Sequence, residues 1–143
     1  GERALLTRGN AALAAMASAA LPLVFPPVRL GGRLLVDGGF VELVPVLAAR
    51  ELGADIGVAV DVSNNGWGAP VKNGLEALIW AAAIASRQHT EMILQQADLV
   101  LRPKFSMPVD TLDFRRARYA IEAGLRAGRE AIEAIRELLA SRR

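Results

Sequence analysis

The chain has 143 residues, 52% apolar and 22% charged, a composition that suits a folded globular domain and excludes a disordered or fibrous segment. Its 17 basic residues are interleaved with 15 acidic ones, so the net charge is only +2 and no basic stripe points to nucleic acid. The absence of cysteine removes disulfide scaffolds and thiolate zinc sites, and the single histidine, His89, leaves no ordinary multi-histidine metal site; neither metal nor cofactor is expected.

In chain order, Arg3 to Thr7 reads as a short strand, and Asn10 can cap a helix reaching about Ala20, with Leu13, Met16 and Ala17 on one stripe. The alanine-rich run in that helix also resembles a secretory leader with a small-residue cleavage site, the mark of an exported α/β domain. Pro22, Pro26 and Pro27 break the apolar stretch too early for a span of about 20 residues, which favours a buried helix. Val28 to Leu30 and Arg33 to Val36 flank Gly31-Gly32, a pair that tolerates the positive φ of a two-residue hairpin turn, and this hairpin delivers Asp37-Gly38-Gly39 at the end of its second strand.

Pro45 suits the first turn of a helix through Leu52, which Gly53 stops. Ile56 to Val62 is a nearly continuous apolar run, as expected of a strand buried on both faces, and a helix leading into it suggests a parallel crossover. The loop Ser63 to Asn73 holds Trp67 between glycines, where the indole either covers a helix end or meets a water–lipid boundary as a candidate lipid contact. A long helix from about Gly74 to Gln96 and a short strand from Asp98 to Arg102 follow. Asp110 or Thr111 can cap a final helix whose Phe114, Ala117, Ile121, Leu125, Ile132, Ile135 and Leu139 form an apolar stripe, opposite a solvated face that includes Glu122 and Arg126. No repeat or linker divides residues 1–143, which read as one domain.

Aspartate and glycine dominate turns, so the Asp37-Gly38-Gly39 tripeptide alone reads as a hairpin exit. It stands, however, in an ordered series: Ala17-Ser18-Ala19-Ala20-Leu21-Pro22, Phe25-Pro26-Pro27-Val28, Gly32-Arg33-Leu34-Leu35-Val36-Asp37-Gly38-Gly39, Val44-Pro45-Val46, then Ala49 to Asp55 and Val58 to Val62. In order and spacing this series resembles the C-terminal half of the patatin domain of bacterial patatin-like phospholipases. The resemblance implies an α/β fold, the C-terminal part of a three-layer structure with a mostly parallel central sheet. It also implies that Asp37 is the aspartate of a serine–aspartate dyad in a lipid acyl hydrolase, and that Gly38 and Gly39 form the catalytic turn by removing obstructing side chains and allowing strained backbone angles.

The family's nucleophile sits in Gly-x-Ser-x-Gly beside a glycine-rich oxyanion loop, and none of Ser18, Ser63, Ser86, Ser106 and Ser141 has the flanking glycines. The chain alone is therefore expected to be inactive. Its expected partners are an acyl-ester or lipid substrate, an N-terminal half supplying the serine either covalently or as a separate chain, and a membrane surface, which favours a cytoplasmic or peripheral-membrane location. A non-catalytic interaction or regulatory module that keeps the fold is the alternative.

The family places asparagine and proline where this chain has Glu42 and Leu43, and glycine where it has Leu23. Glu42 is expected to point to solvent, since a second buried carboxylate near Asp37 would disturb its ionisation. Asp61 is expected to cap backbone amides at a strand end, Ser18 to serve packing or turn support, and His89 to be packed or hydrogen-bonded on its helix.

Overall fold

In the computed structural model, which describes residues 1–63, 71–107, 109 and 113–142, Gly31 and Gly32 adopt φ values of 57° and 75°. That pair of left-handed residues closes a tight hairpin between β1 (Val28–Leu30) and β2 (Arg33–Leu35), paired antiparallel with Val28 opposite Leu35. The hairpin belongs to the first of two units, residues 1–43. Before it lies α1 (Ala11–Ser18), whose N-terminus is satisfied as the sequence suggests: Asn10 Oδ1 accepts the N–H groups of Ala12 at 2.9 Å and Leu13 at 3.1 Å. Ala17 and Ala20 are buried, whereas Leu13 and Met16 are exposed, so α1 packs through its small residues. The short α2 (Gly39–Glu42) ends the unit.

One expected element is absent from this unit. Residues Arg3 to Thr7 form no strand, and Arg3 instead sends its guanidinium to Glu42. Leu23, which stands where the family the sequence resembles has glycine, has φ 72°. A leucine held there costs about 1–2 kcal/mol, because its Cβ crowds the following carbonyl.

The second unit, residues 44–143, contains α3 (Val46–Glu51), β3 (Val58–Val60), α4 (Gly74–Leu94), β4 (Leu99–Leu101), a 3₁₀ turn (Phe114–Arg116), α5 (Ala117–Glu130) and α6 (Ile132–Ser141). Pro45 precedes α3, and Gly53, at φ 93°, stops it. Strands β3 and β4 pair in parallel, Val58 with Leu99 and Val60 with Leu101, and α4 is the crossover that a parallel pair requires. Val44, Val46, Ala59, Ile93 and Leu94 form the core beneath this pair. Helix α4 starts on a reciprocal cap: Asn73 Oδ1 accepts the Glu76 N–H at 2.9 Å, and Glu76 Oε2 accepts the Lys72 N–H at 2.7 Å.

The fold is thus mixed α/β, but among the described residues the strands form two separate two-stranded ladders, one antiparallel and one parallel. Strand β3 is shorter than the apolar run that encodes it. Ala59 is buried, while Val58 and Val60 are exposed, so one face of the strand is covered and not both. The C-terminal apolar stripe is interrupted at Ala131, whose N–H is shared between the carbonyls of Ala127 and Gly128 at 3.2 Å each. Phe114, Ile121, Leu125 and Leu139 lie exposed along it, and only Ala123 is buried in α5. Glu122 pairs back to Arg118 at 3.3 Å and not forward to Arg126. The expected caps Asp110 and Thr111 lie outside the described residues.

Two carboxylates hold the ends of the parallel pair. Before β4, Asp98 Oδ2 accepts the Gly57 N–H at 2.8 Å and the Arg50 guanidinium, while Arg50 also donates to the carbonyls of Ala54 and Asp55. The Gly57 N–H, then Arg50, hold the Asp98 carboxyl below its ordinary pKa. After β3, buried Asp61 accepts the Ser63 N–H and hydroxyl on one oxygen and Arg102 Nε, at 3.1 Å, on the other. This is the amide-capping role expected of it.

Burial alone would raise the Asp61 pKa, but the hydrogen bonds from Ser63 and Arg102 together outweigh it and leave the carboxyl below its ordinary 3.8. A folded value below the unfolded one means that Asp61 stabilises the fold above the ordinary value. That contribution is lost as pH falls through the lowered folded value. Asp61→Asn should therefore lower the melting temperature at neutral pH and flatten its fall below about pH 4. An acid limb as steep as the wild type's would contradict this role.

Candidate functional site

Asp37 lies two residues beyond β2, and its place is set by the backbone: its N–H donates to the Ala20 carbonyl at 3.0 Å. The small residues of Ala17-Ser18-Ala19-Ala20 matter here, because Ala17 and Ala20 are buried where larger side chains would hold α1 away from the strand end. The carboxylate is half-buried and lines a cleft of about 480 Å³ in the first unit, together with Ser18, Arg33, Leu35 and Val41. Asp37 Oδ1 accepts the Gly39 N–H at 2.8 Å, and Oδ2 has no hydrogen bond among the described residues. One oxygen thus orients the carboxylate while the other is available at the cleft.

The two glycines differ in what they do. Gly38 has φ −67° and ψ −19°, ordinary right-handed values, and Gly39 begins α2 without a positive φ. The expected strained backbone is therefore absent, and of the two expected reasons only the need for space applies, at Gly39. A Cβ on Gly39 would come within 3.1 Å of both Asp37 Oδ1 and Leu43 Cδ1, whereas one on Gly38 would meet only Ser18 Oγ, at an ordinary 3.6 Å.

Glu42 also departs from expectation. It is buried and not turned to solvent, and Arg3, which lines the same cleft, pairs with it at 2.5 Å. The guanidinium offsets the cost of burying the carboxylate. Neither Glu42 as a buried acid nor Arg3 as its partner was visible as a pair, since 38 residues separate them and nothing in the local pattern links them.

Among the other residues singled out, Ser18 is near the turn but makes no hydrogen bond to Asp37, and His89 is exposed on α4, neither packed nor hydrogen-bonded among the described residues. Trp67 lies outside the described residues. Among the described residues no helix is long and apolar enough to cross a membrane.

The segment that builds this cleft also matches a known family. Residues 2–50 match the family described as patatin-like phospholipase. A protein named lysophospholipase NTE1, from Debaryomyces hansenii, is 40% identical over 48 residues, which is 34% of this chain and 3% of that protein. The chain thus spans a small fraction of that relative's length. Both matches support the patatin family, a family of lipid acyl hydrolases, and the family match includes Asp37.

The contrast between the glycines is measurable. Gly38→Ala should raise unfolding free energy by about 0.5–1 kcal/mol, because an unstrained right-handed position gains from a less flexible unfolded chain. Gly39→Ala should forfeit that gain, since Asp37 or Leu43 must give way. Equal stabilisation of both variants in denaturant titrations would mean that the carboxylate does not need the room.

Proposed function

We propose that this chain supplies the aspartate of a serine–aspartate dyad to a patatin-like lipid acyl hydrolase and represents the C-terminal portion of its catalytic domain. The observation that carries the reading is the state of the Asp37 carboxylate. It faces a cleft with one oxygen oriented by the Gly39 N–H and the other without a hydrogen bond among the described residues. The patatin-like match over residues 2–50 supports it independently.

In this reading Asp37 Oδ2 takes the proton of a serine hydroxyl as that oxygen attacks the ester carbonyl. Asp37 returns that proton to the departing alcohol as the acyl-serine forms, and the restored carboxylate then takes a proton from the water that releases the fatty acid and passes it back to the serine oxygen. The reach required is about 2.6–3.2 Å between carboxylate and hydroxyl oxygens. None of the five serines here carries the flanking glycines of a nucleophile elbow, so the serine and the oxyanion donors come from a further segment, in the same polypeptide or a separate one. The substrate class is a phospholipid or lysophospholipid, the three-layer fold is completed by that segment, and Trp67 remains a candidate contact to lipid.

A second reading has its own observation. The Asp37–Gly39 hydrogen bond is also what an aspartate makes at an ordinary turn, which suits a module that has kept the fold without the chemistry.

A fluorophosphonate probe separates the two. With the complementing segment present, it should label one serine, that of Gly-x-Ser-x-Gly, and none in these 143 residues. Absence of labelling in the complemented protein would support the non-catalytic module, and labelling of Ser18 would overturn the assignment of an external nucleophile.

A further inference from the structure

The turn that follows Asp37 cannot hold itself. Helix α2 is a single turn, closed by the N–H groups of Val41 and Glu42 on the Gly38 carbonyl at 3.0 and 2.9 Å, and no side chain caps its N-terminus. One turn fixes several backbone dihedrals for few hydrogen bonds, so its stability has to come from tertiary contacts. Its apolar side chains supply little of that: Phe40 is 60% exposed and Val41 only half-buried. The buried residue of the turn is Glu42.

A buried carboxylate anchors a turn only while its charge is met, because the same group without a partner would seek water. Arg3 meets it at 2.5 Å. The Glu42 side chain is 4% exposed, which leaves the contact little screened by solvent. Arg3, Ala4 and Leu6 line the cleft that Asp37 also lines. The ion pair therefore ties one wall of that cleft to the C-terminal end of α2.

The N-terminal end of the same turn carries the Gly39 N–H, which Asp37 Oδ1 accepts at 2.8 Å. Glu42 stands three positions beyond Gly39, so a displacement of its side chain is felt within the one turn. The main chain of Asp37 is fixed separately, by its N–H on the Ala20 carbonyl at 3.0 Å. Loss of the anchor would thus leave Asp37 in place and let its carboxylate rotate. A carboxylate acting as base must meet a hydroxyl at about 2.6–3.2 Å, and a misplacement of about 1 Å costs roughly 10²-fold in rate.

We propose that the Arg3–Glu42 ion pair is the positioning device of the Asp37 turn: by anchoring α2 it keeps the Gly39 N–H on Asp37 Oδ1 and so aims the second carboxylate oxygen at the cleft. Both residues act through Gly39 and are positioning residues. The proposal deepens the acyl-hydrolase reading, on which it rests for the consequence of that aim. The anchoring itself is readable without turnover, so the two fail separately.

The test compares kcat and KM on a soluble short-chain ester with amide hydrogen exchange, all on the complemented protein. Arg3→Met, which keeps the stem and removes the charge, should lower kcat roughly tenfold or more with KM little changed. Its Gly39 amide should exchange roughly tenfold faster or more, while the Asp37 amide, held by Ala20, keeps wild-type protection. Arg3→Lys restores the cation and should recover most of both. Glu42→Gln, which keeps the shape and leaves no buried charge, should show the same split to a smaller degree, and it decides the matter where Arg3→Met does not fold. Wild-type kcat and Gly39 exchange in the variant that folds would overturn the proposal, as would release of Gly39 without loss of kcat. Equal acceleration at Asp37 and Gly39 would make the pair a general support of the first unit and likewise overturn it. Failure of the dyad itself shows elsewhere, as activity retained by Asp37→Asn, and leaves selective release of Gly39 in Arg3→Met as support for the anchor.

Discussion

A single backbone hydrogen bond, from the Asp37 N–H to the Ala20 carbonyl, ties the end of the hairpin to the end of the first helix. Around it the other features of the first unit fall into place. The helix ends in small residues because the strand end lies against it, and Ala17 and Ala20 are buried as a result. The hairpin is tight because Gly31 and Gly32 accept left-handed angles, so β2 arrives with its register set. With the main chain fixed on both sides of residue 37, the carboxylate needs only the Gly39 N–H to hold its orientation, and Gly39 needs to lack a Cβ for that contact to form without displacement. The geometry is local, and it rests on main-chain groups more than on side-chain packing.

The second unit uses charge for a comparable purpose. Asp98 joins the start of β4 to Gly57, before β3, and to Arg50 at the end of α3, with Arg142, just after α6, reaching its other oxygen at 2.9 Å. Asp61 and Arg102 close the opposite end of the same parallel pair. A ladder of three residue pairs has few hydrogen bonds of its own, so partly buried carboxylates at both ends stabilise its register where the core is small.

What was legible in the sequence was mostly local chemistry. Asn10 as a cap, Gly31-Gly32 as a hairpin turn, Gly53 as a helix stop and Asp61 as an amide cap each follow from what one or two residues can do with the backbone beside them. A parallel crossover was expected at the helix before β3, whereas among the described residues it is α4, between β3 and β4, that joins a parallel pair. Contacts between distant residues were not legible: the burial of Glu42 depends on Arg3, and neither position carries a periodic signal. Exposure was misjudged in β3, whose apolar run was read as buried on both faces, because an apolar pattern states which face seeks cover and not whether cover is present. Of the two reasons offered for Gly38 and Gly39, the need to lack a side chain holds at Gly39, beside the Asp37 carboxylate, and backbone strain holds at neither. Leu23 was noticed only as a departure, and its left-handed φ gives that departure a physical meaning.

The central claim is that the unengaged oxygen of Asp37 acts as a base. The most direct measurement is kcat of the complemented protein on a soluble short-chain ester, wild type against Asp37→Asn, with melting temperatures measured on the same preparations. The amide keeps the size of the side chain and an oxygen for the Gly39 N–H, but it cannot take a proton. The account predicts that kcat falls by roughly 10²–10⁴-fold with little change in melting temperature. An Asp37→Asn protein that keeps most of its kcat, or loses it only along with its fold, would contradict the account.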